Sequence, residues 1–322
     1  MHRRTLAPVA AALLAARPLA AQEARFPSRP VRVVSGNAPG GISDIICRLV
    51  APQLGRIWDR PVMVENRPGA SGHAAGAEVA RSPADGHAIL LTTMAHNAVT
   101  AIYQNLGYDP LADLRPAILV GESMGVLAVP PAFPARDVAQ FIAMARERPG
   151  GVTYGSAGAG SAIHLGAALF EHMAQVRMTH VPYRGSAPAL NDLLAGQINA
   201  VFDNLTSALP FIQAGRLRAL AVTGHARSPA LPGIPTIAEA GVPGYAFEAW
   251  YGFSVASATP PDILQRLNTD LNAAIMAPEL RPRWAALGIT PLGGSLADAE
   301  RKRREDTALW NGVVRAANIT AE

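Results

Sequence analysis

One cysteine, one lysine and few aromatic residues mark this 322-residue sequence by what it lacks. The single cysteine, Cys47, forbids an intramolecular disulfide, so no disulfide framework holds the fold. It falls among Ile46, Leu49 and Val50 in a helical pattern, with nothing nearby to lower a thiol pKa, and reads as a packed thiol rather than a nucleophile. The single lysine, Lys302, stands inside a run of charges, which removes Schiff-base chemistry from consideration. The eight histidines are scattered, with neither H-E-x-x-H nor Cys/His spacing, so no metal site and no cofactor is expected.

Long apolar runs are also scarce. After residue 21 no window approaches the roughly 20 apolar residues that span a bilayer. A formal charge of +4 and a pI near 9.6 invite a nucleic-acid partner, but Arg3, Arg4 and Arg17 supply three of those charges from a leader. The basic run Arg301-Lys302-Arg303-Arg304 precedes Glu305 and Asp306 on a helical pattern and reads as a solvated helix face. No nucleic-acid binding is expected.

Residues 1–21 have the form of a secretory signal. Arg3 and Arg4 make the positive start, 6–16 the short apolar stretch, and Leu19, Ala20 and Ala21 offer small residues before Gln22. No cysteine follows at once, which argues against a lipid anchor. The expected location is the periplasm, with cleavage near Ala21.

What the sequence has is glycine placed between strands and helices. At 152–170 a short strand (152–154) runs into a glycine-rich turn (155–160). Ser161 follows as a helix N-cap, and Ile163, Leu165, Leu169 and Phe170 make an apolar helix face. The same design occurs earlier: strand 31–35, the loop 36–41, then helix 42–54. Such a loop aims free backbone N–H groups and a positive helix end at an anion. Two of them facing across a cleft would hold one small acid.

The rest of the chain repeats this alternation. Strand 62–65, helix 73–81 and strand 88–92 complete a first α/β unit; helix to 173, strand 178–182, helix 188–195, strand 200–203, helix 209–214 and strand 217–223 complete a second. Alternation at this spacing predicts parallel strands with crossover helices. Segments 117–120 and 125–129 read as strand, break, strand; 250–255 reads as another strand, and 261–275 and 298–317 as helices. A chain that leaves the first unit near 123 and returns near 248 predicts a discontinuous first domain (26–123 with 248–322), a second at 124–247, and two crossing strands as the hinge.

Individual residues follow from this plan. Gly40 and Gly41 let the backbone approach a ligand, with Ser43 and Asp44 in the first helical turn. Thr93 and His96 end the third strand; Tyr183-Arg184-Gly185 and Asp203-Asn204 end strands of the second unit, at the edge where α/β proteins bind ligands. Arg184 pairs either with a ligand carboxylate or with Asp203 or solvent. His164 has a packing or capping role ahead of a catalytic one. Gly121-Glu122-Ser123-Met124-Gly125 matches the G-x-S-x-G nucleophile elbow, but a strand-like segment follows where a helix is required.

Seven motifs then occur together: P-G-G-x-x-D (39–44), E-N-R-P-G-A-S-G (65–72), Y-G-S-A-G-x-G-S-x-x-H (154–164), H-V-P-Y-R-G (180–185), F-D-N-L-x-S-A-L-P (202–210), L-R-A-L-A-V-T (217–223) and P-T-I-A-E-A-G (235–241). Across almost the whole chain beyond the leader, this set resembles the substrate-binding proteins of tripartite tricarboxylate transporters, the Bug family. The resemblance implies a two-domain periplasmic binding protein of type II, the Venus-flytrap α/β architecture. It also implies a carboxylate ligand (citrate, another di- or tricarboxylate, an acidic amino acid or an aromatic acid), bound without catalysis and passed to membrane subunits where these exist.

Carried residue by residue, the resemblance places Gly40, Gly41, Ser43 and Asp44 opposite Ser156, Gly158, Gly160 and Ser161, with Asp203 and Tyr183 lining the second domain's share. One departure concerns Asn37, which stands after Gly36 where the family usually has an aromatic residue; this implies a more polar or larger ligand than usual. Monomer is the default state for a binding protein. Two rival functions remain: an exported hydrolase using Ser161 or Ser123 with His164 as base, and a ligand-sensing regulatory module, which the leader and the lack of an N-terminal helix-turn-helix disfavour.

Overall fold

The computed structural model describes residues 26–37, 39–69, 72–98, 106–183 and 185–316. The expected leader, and Arg184, lie outside the described residues. The chain runs β1 (Val31–Ser35), α1 (Ile42–Trp58), β2 (Val62–Asn66), α2 (His73–Ala80), β3 (Ala88–Thr93), a short α3 (Ala95–Ala98), and a long β4 (Leu114–Val129). It continues with α4 (Val138–Glu147), β5 (Thr153–Ser156), α5 (Ala162–Ala174), β6 (Thr179–Pro182), α6 (Ser186–Leu194), β7 (Ala200–Asn204), α7 (Leu205–Gln213) and β8 (Arg218–Val222). Last come β9 (Glu248–Ala256), α8 (Pro261–Ile275), α9 (Arg281–Ala286), β10 (Ile289–Gly293) and α10 (Leu296–Ala316).

The expected parallel pairs are present in both halves: β2-β1-β3 in the first, β6-β5-β7 in the second. The remaining pairings, which join these groups through β4, β8, β9 and β10, are antiparallel, so the sheet is mixed. The strand, break, strand expected around Gly121 is one unbroken strand of 16 residues. Its two glycines admit neighbours instead of ending it. A Cβ on Gly121 would lie 2.6 Å from the Thr290 carbonyl oxygen of β10, and one on Gly125 would lie 3.1 Å from the Asp203 carbonyl oxygen.

β4 passes from one group of strands to the other, and β9 lies between β3 and its first half. β4 pairs with β9 from Leu114 to Met124, then turns to β7 and β8 from Gly125 onward. Strand faces alternate in what they bury. On β1, Val31 and Val33 join a large apolar cluster with Leu91, Phe253, Tyr154 and Phe170, while Val34 joins a smaller one with Ala75 and Leu90. On β7, Phe202 joins the large cluster and Val201 packs with Leu190 and Leu193.

The basic run on α10 is only partly a solvated face. Arg301 and Arg304 are exposed, but Arg303 is half-buried and donates to the Leu111 and Leu114 carbonyls, and Lys302 pairs with buried Asp306 at 3.3 Å. Packing of α10 onto β4 draws these two side chains inward. Cys47 is buried, and its burial pushes the thiol pKa far up, in keeping with a packing role.

Candidate functional site

Strand register sets the site. β3 ends at Thr93, which pairs with Tyr251 of β9, and Tyr251 pairs in turn with Gly121 of β4. β7 runs in the opposite direction and ends at Asn204, paired with Gly125. The carboxyl ends of the two parallel groups therefore point at each other across residues 121–125 of β4. At ~3.3 Å per residue that gap is roughly 13 Å along the strand. The segment that resembles a nucleophile elbow is the bridge between the two ends. There Ser123 is buried, with its hydroxyl 3.4 Å from the Tyr251 hydroxyl.

The first glycine loop, after β1, lies against the loop after β2. A Cβ on Gly36 would come within 2.5 Å of Gly72 Cα, so the two backbones touch. Asp44 is buried and braces this loop. Its carboxylate accepts from the Gly40 N–H (2.9 Å), from Asn66 Nδ2 (2.9 Å) and from Arg48 Nε (2.9 Å). Burial alone would raise its pKa, and these donors hold it below the usual carboxylate range. Gly40 takes a left-handed φ of 83°, and Gly41 begins α1 with no side-chain cap, leaving the first-turn N–H groups for another acceptor. Ser43 is buried in that first turn, and Asn37 is exposed, its backbone tied to Ser35 Oγ and Asn66 Nδ2. Thr93 donates its N–H to Nδ1 of His96, which lies against Gly72.

The second loop follows β5. Ser161 caps α5 as expected, accepting the His164 N–H at 3.3 Å. Gly158 and Gly160 have φ of 125° and 70°, and a Cβ on Gly158 would meet the Tyr183 carbonyl oxygen at 3.3 Å. His164 Nδ1 accepts the Gly160 N–H at 3.0 Å, and its ring stacks on His180 at 3.8 Å between centroids. His180 Nε2 lies 2.6 Å from Ser156 Oγ, which also receives the Gly158 N–H at 3.1 Å. Burial holds the imidazoles of His164 and His180 down to about 3 and about 4, so both are neutral props. Replacing Ser161 by alanine is expected to destabilise the fold by about 1 kcal/mol, the usual worth of a cap. Urea unfolding of the variant beside the parent checks this.

Tyr183 and Asp203 stand at the ends of β6 and β7. The Tyr183 hydroxyl donates to Asp192 at 2.7 Å. Asp203 is buried; its Oδ1 accepts from Ser186 Oγ (2.6 Å) and the Asn204 N–H (2.7 Å), and burial pushes its pKa up to about 7. Sequence reasoning singles out none of Asn66, Gly72, Ser186 and Tyr251, which lie against these loops and strand ends. Asn66 and Gly72 lie within the E-N-R-P-G-A-S-G motif, which carries their signal. Tyr251 carries none, since only the β9 pairing brings it there.

The hydrolase arrangement is not formed. Ser161 Oγ accepts a backbone N–H and His164 Nδ1 another, while Ser123 lies within a strand beside Tyr251.

The family model for the tripartite tricarboxylate transporter family receptor matches residues 46–319. A Pseudomonas sp. (strain P51) protein described as a UPF0065 protein in the tcbD-tcbE intergenic region is 37% identical over 314 residues, 97% of this chain and 94% of that one. Protein BugT of Bordetella pertussis is 32% identical over 292 residues, 90% of each chain. Among solved structures, R. palustris Rpa4515 with adipate is 37% identical with a TM-score of 0.84, covering 92% of this chain and all (100%) of that one. MatC from Rhodopseudomonas palustris with bound malate is 30% identical with a TM-score of 0.81, covering 90% of this chain and 100% of that one. With motif set, fold and these matches in agreement, the chain belongs to the tripartite tricarboxylate transporter receptor family, the TctC/Bug periplasmic solute-binding proteins.

Proposed function

We propose that this protein captures a small carboxylate between its two glycine loops and delivers it to the membrane subunits of a tripartite tricarboxylate-type transporter. The observation that carries this reading is the opposition of the carboxyl ends of the two parallel groups across four residues of β4, with β1 in one group and β5 in the other each running into a glycine loop and a helix N-terminus. Backbone N–H groups of Gly41 and Ser43, with the Ser156 and Ser161 hydroxyls, suit an anion that must later be released, while Gly158 and Gly160 shape the second loop with their N–H groups held by Ser156 Oγ and His164 Nδ1. Asp44 holds the first loop in shape; Thr93, Tyr183 and Asp203 complete the lining. Among the described residues, those of 26–123 with 248–316 form one lobe and those of 124–247 the other, and the change of β4 partners between Met124 and Gly125 supports that boundary. Ligand contacts from both lobes favour the closed state by their differential affinity. Neighbours that hold adipate and malate fit this class of ligand.

The test is a thermal-shift screen of the exported chain against mono-, di- and tricarboxylates. A ligand at about 100 times its Kd is expected to add roughly 2.7 kcal/mol of stability. No shift with any acid, after unfolding and refolding to clear carried-over ligand, would reject the reading. The same screen on Asn37→Phe is expected to favour more apolar acids.

A further inference from the structure

Asp203 poses an accounting problem. Its Oδ1 is satisfied by Ser186 Oγ and the Asn204 N–H, yet its Oδ2 is buried and meets no hydrogen-bond donor among the described residues. A buried carboxylate oxygen left bare is costly, and native proteins keep few of them. Register says where this one lies. β5 and β7 pair with Tyr154 against Ala200 and Gly155 against Val201, and that register carried two residues further sets Asp203 level with Ala157, within the second glycine loop. From the other side it pairs with Val126, one residue from the bridge between the lobes.

Two helices begin at the same place. α6 starts after Gly185 and α7 after Asn204, neither with a side-chain cap, and each contributes a donor to Oδ1. Those donors and the positive helix ends favour an ionised carboxylate, which has only acceptor capacity left at Oδ2. We infer that the ligand carries a hydrogen-bond donor, a hydroxyl or an ammonium group, on the carbon chain near one carboxylate, and that Asp203 Oδ2 is its acceptor. This rests on the carboxylate-capture reading and narrows it to hydroxy- and amino-substituted acids over plain alkane acids.

The opposite arrangement, a protonated Asp203 donating to a ligand carboxylate, predicts the opposite pH dependence. Titratable groups around β7 are Tyr251, which interacts electrostatically with Asp203, Glu122 on β4, Tyr154 on β5, the Tyr183–Asp192 pair, His164, Glu171 and His172 on α5, and His180 on β6. The Tyr251 phenol is pushed up to about 12, and burial keeps His164 and His180 neutral, so these three do not change state between pH 6 and 8. Asp203, raised to about 7 by burial, does.

The experiment is titration calorimetry with matched acids that differ by the donor: succinate and malate, tricarballylate and citrate, adipate and 2-aminoadipate. In whichever size class binds, the donor-bearing member is expected to bind at least tenfold tighter. That advantage grows from pH 6 to 8 and is lost in Asp203→Asn, where an amide N–H replaces Oδ2. Comparison of the acids on the parent chain decides the matter even if the variant fails to fold. Equal binding within a pair, an advantage that falls with pH, or one that survives Asp203→Asn would overturn the assignment alone. Failure of all six acids to bind would overturn it together with the carboxylate reading.

Discussion

Gly36→Ala is expected to lower ligand affinity by tenfold or more and to destabilise the protein by about 1–3 kcal/mol, the usual range for overpacking. The added Cβ would lie 2.5 Å from Gly72 Cα, 3.1 Å from its carbonyl oxygen and 3.3 Å from its carbonyl carbon. All three are backbone atoms, so no rotamer change relieves the contact. The loops after β1 and β2 must separate instead, which shifts the Gly41 end of α1 relative to the second lobe. At roughly 2–4 °C per kcal/mol, a Tm loss of several degrees follows. Gly312→Ala, on an open face of α10 with nothing near its added Cβ, is the control and should be neutral or slightly stabilising. A Gly36→Ala protein with the parent's Tm and affinity would show that the loops are not held in contact.

The two glycine loops were legible in the sequence because each is a local pattern: a short apolar strand, glycines and an N-cap within a dozen residues. Ser161 and the start of α1 follow from it directly. α4 carries equally local signals, Asp137 as cap accepting the Gln140 N–H and Val138, Phe141, Ile142 and Ala145 as the buried face, but no glycine loop leads into it. What local pattern cannot supply is the role of Gly121 and Gly125, which read as breakers until the strands that cross them are known. β10 is the clearest case. Its sequence, with Pro291 inside and Gly293 at its end, argues against a strand, and its pairing with β4 overrides that propensity. The site was legible to the extent that it lies at strand ends; Tyr251 and the orphan oxygen of Asp203 depend on pairings between distant segments.

The ligand-free chain is expected to lose about 2–4 kcal/mol of stability between pH 7.5 and pH 5.5, most of it through histidines that support the loops. His73, His96 and His164 are buried, and burial holds their imidazoles down to about 2, about 4 and about 3 from an ordinary 6.5. A depressed pKa means that the folded chain refuses a proton which the unfolded chain accepts. The contribution of these groups is therefore whole above about pH 6.5 and drains as the pH falls below it. At pH 5.5 each forgone proton costs about 1.4 kcal/mol, roughly 4 kcal/mol for the three. His180, less buried, adds in the same direction. Asp203 opposes them: its pKa is raised to about 7, so the folded chain takes up a proton before the unfolded one and regains about 2 kcal/mol by pH 5.5. Carboxylates with lowered pKa, such as Asp44, act only at more acidic values. Urea midpoints at the two pH values check the balance, and an unchanged midpoint would show that these imidazoles protonate in place. Because His164 receives the Gly160 N–H and His96 lies against Gly72, the energy lost is lost at the loops. Acid should therefore weaken ligand binding before it unfolds the sheet, since the loops rest on neutral imidazoles while the crossing strands are held by apolar burial.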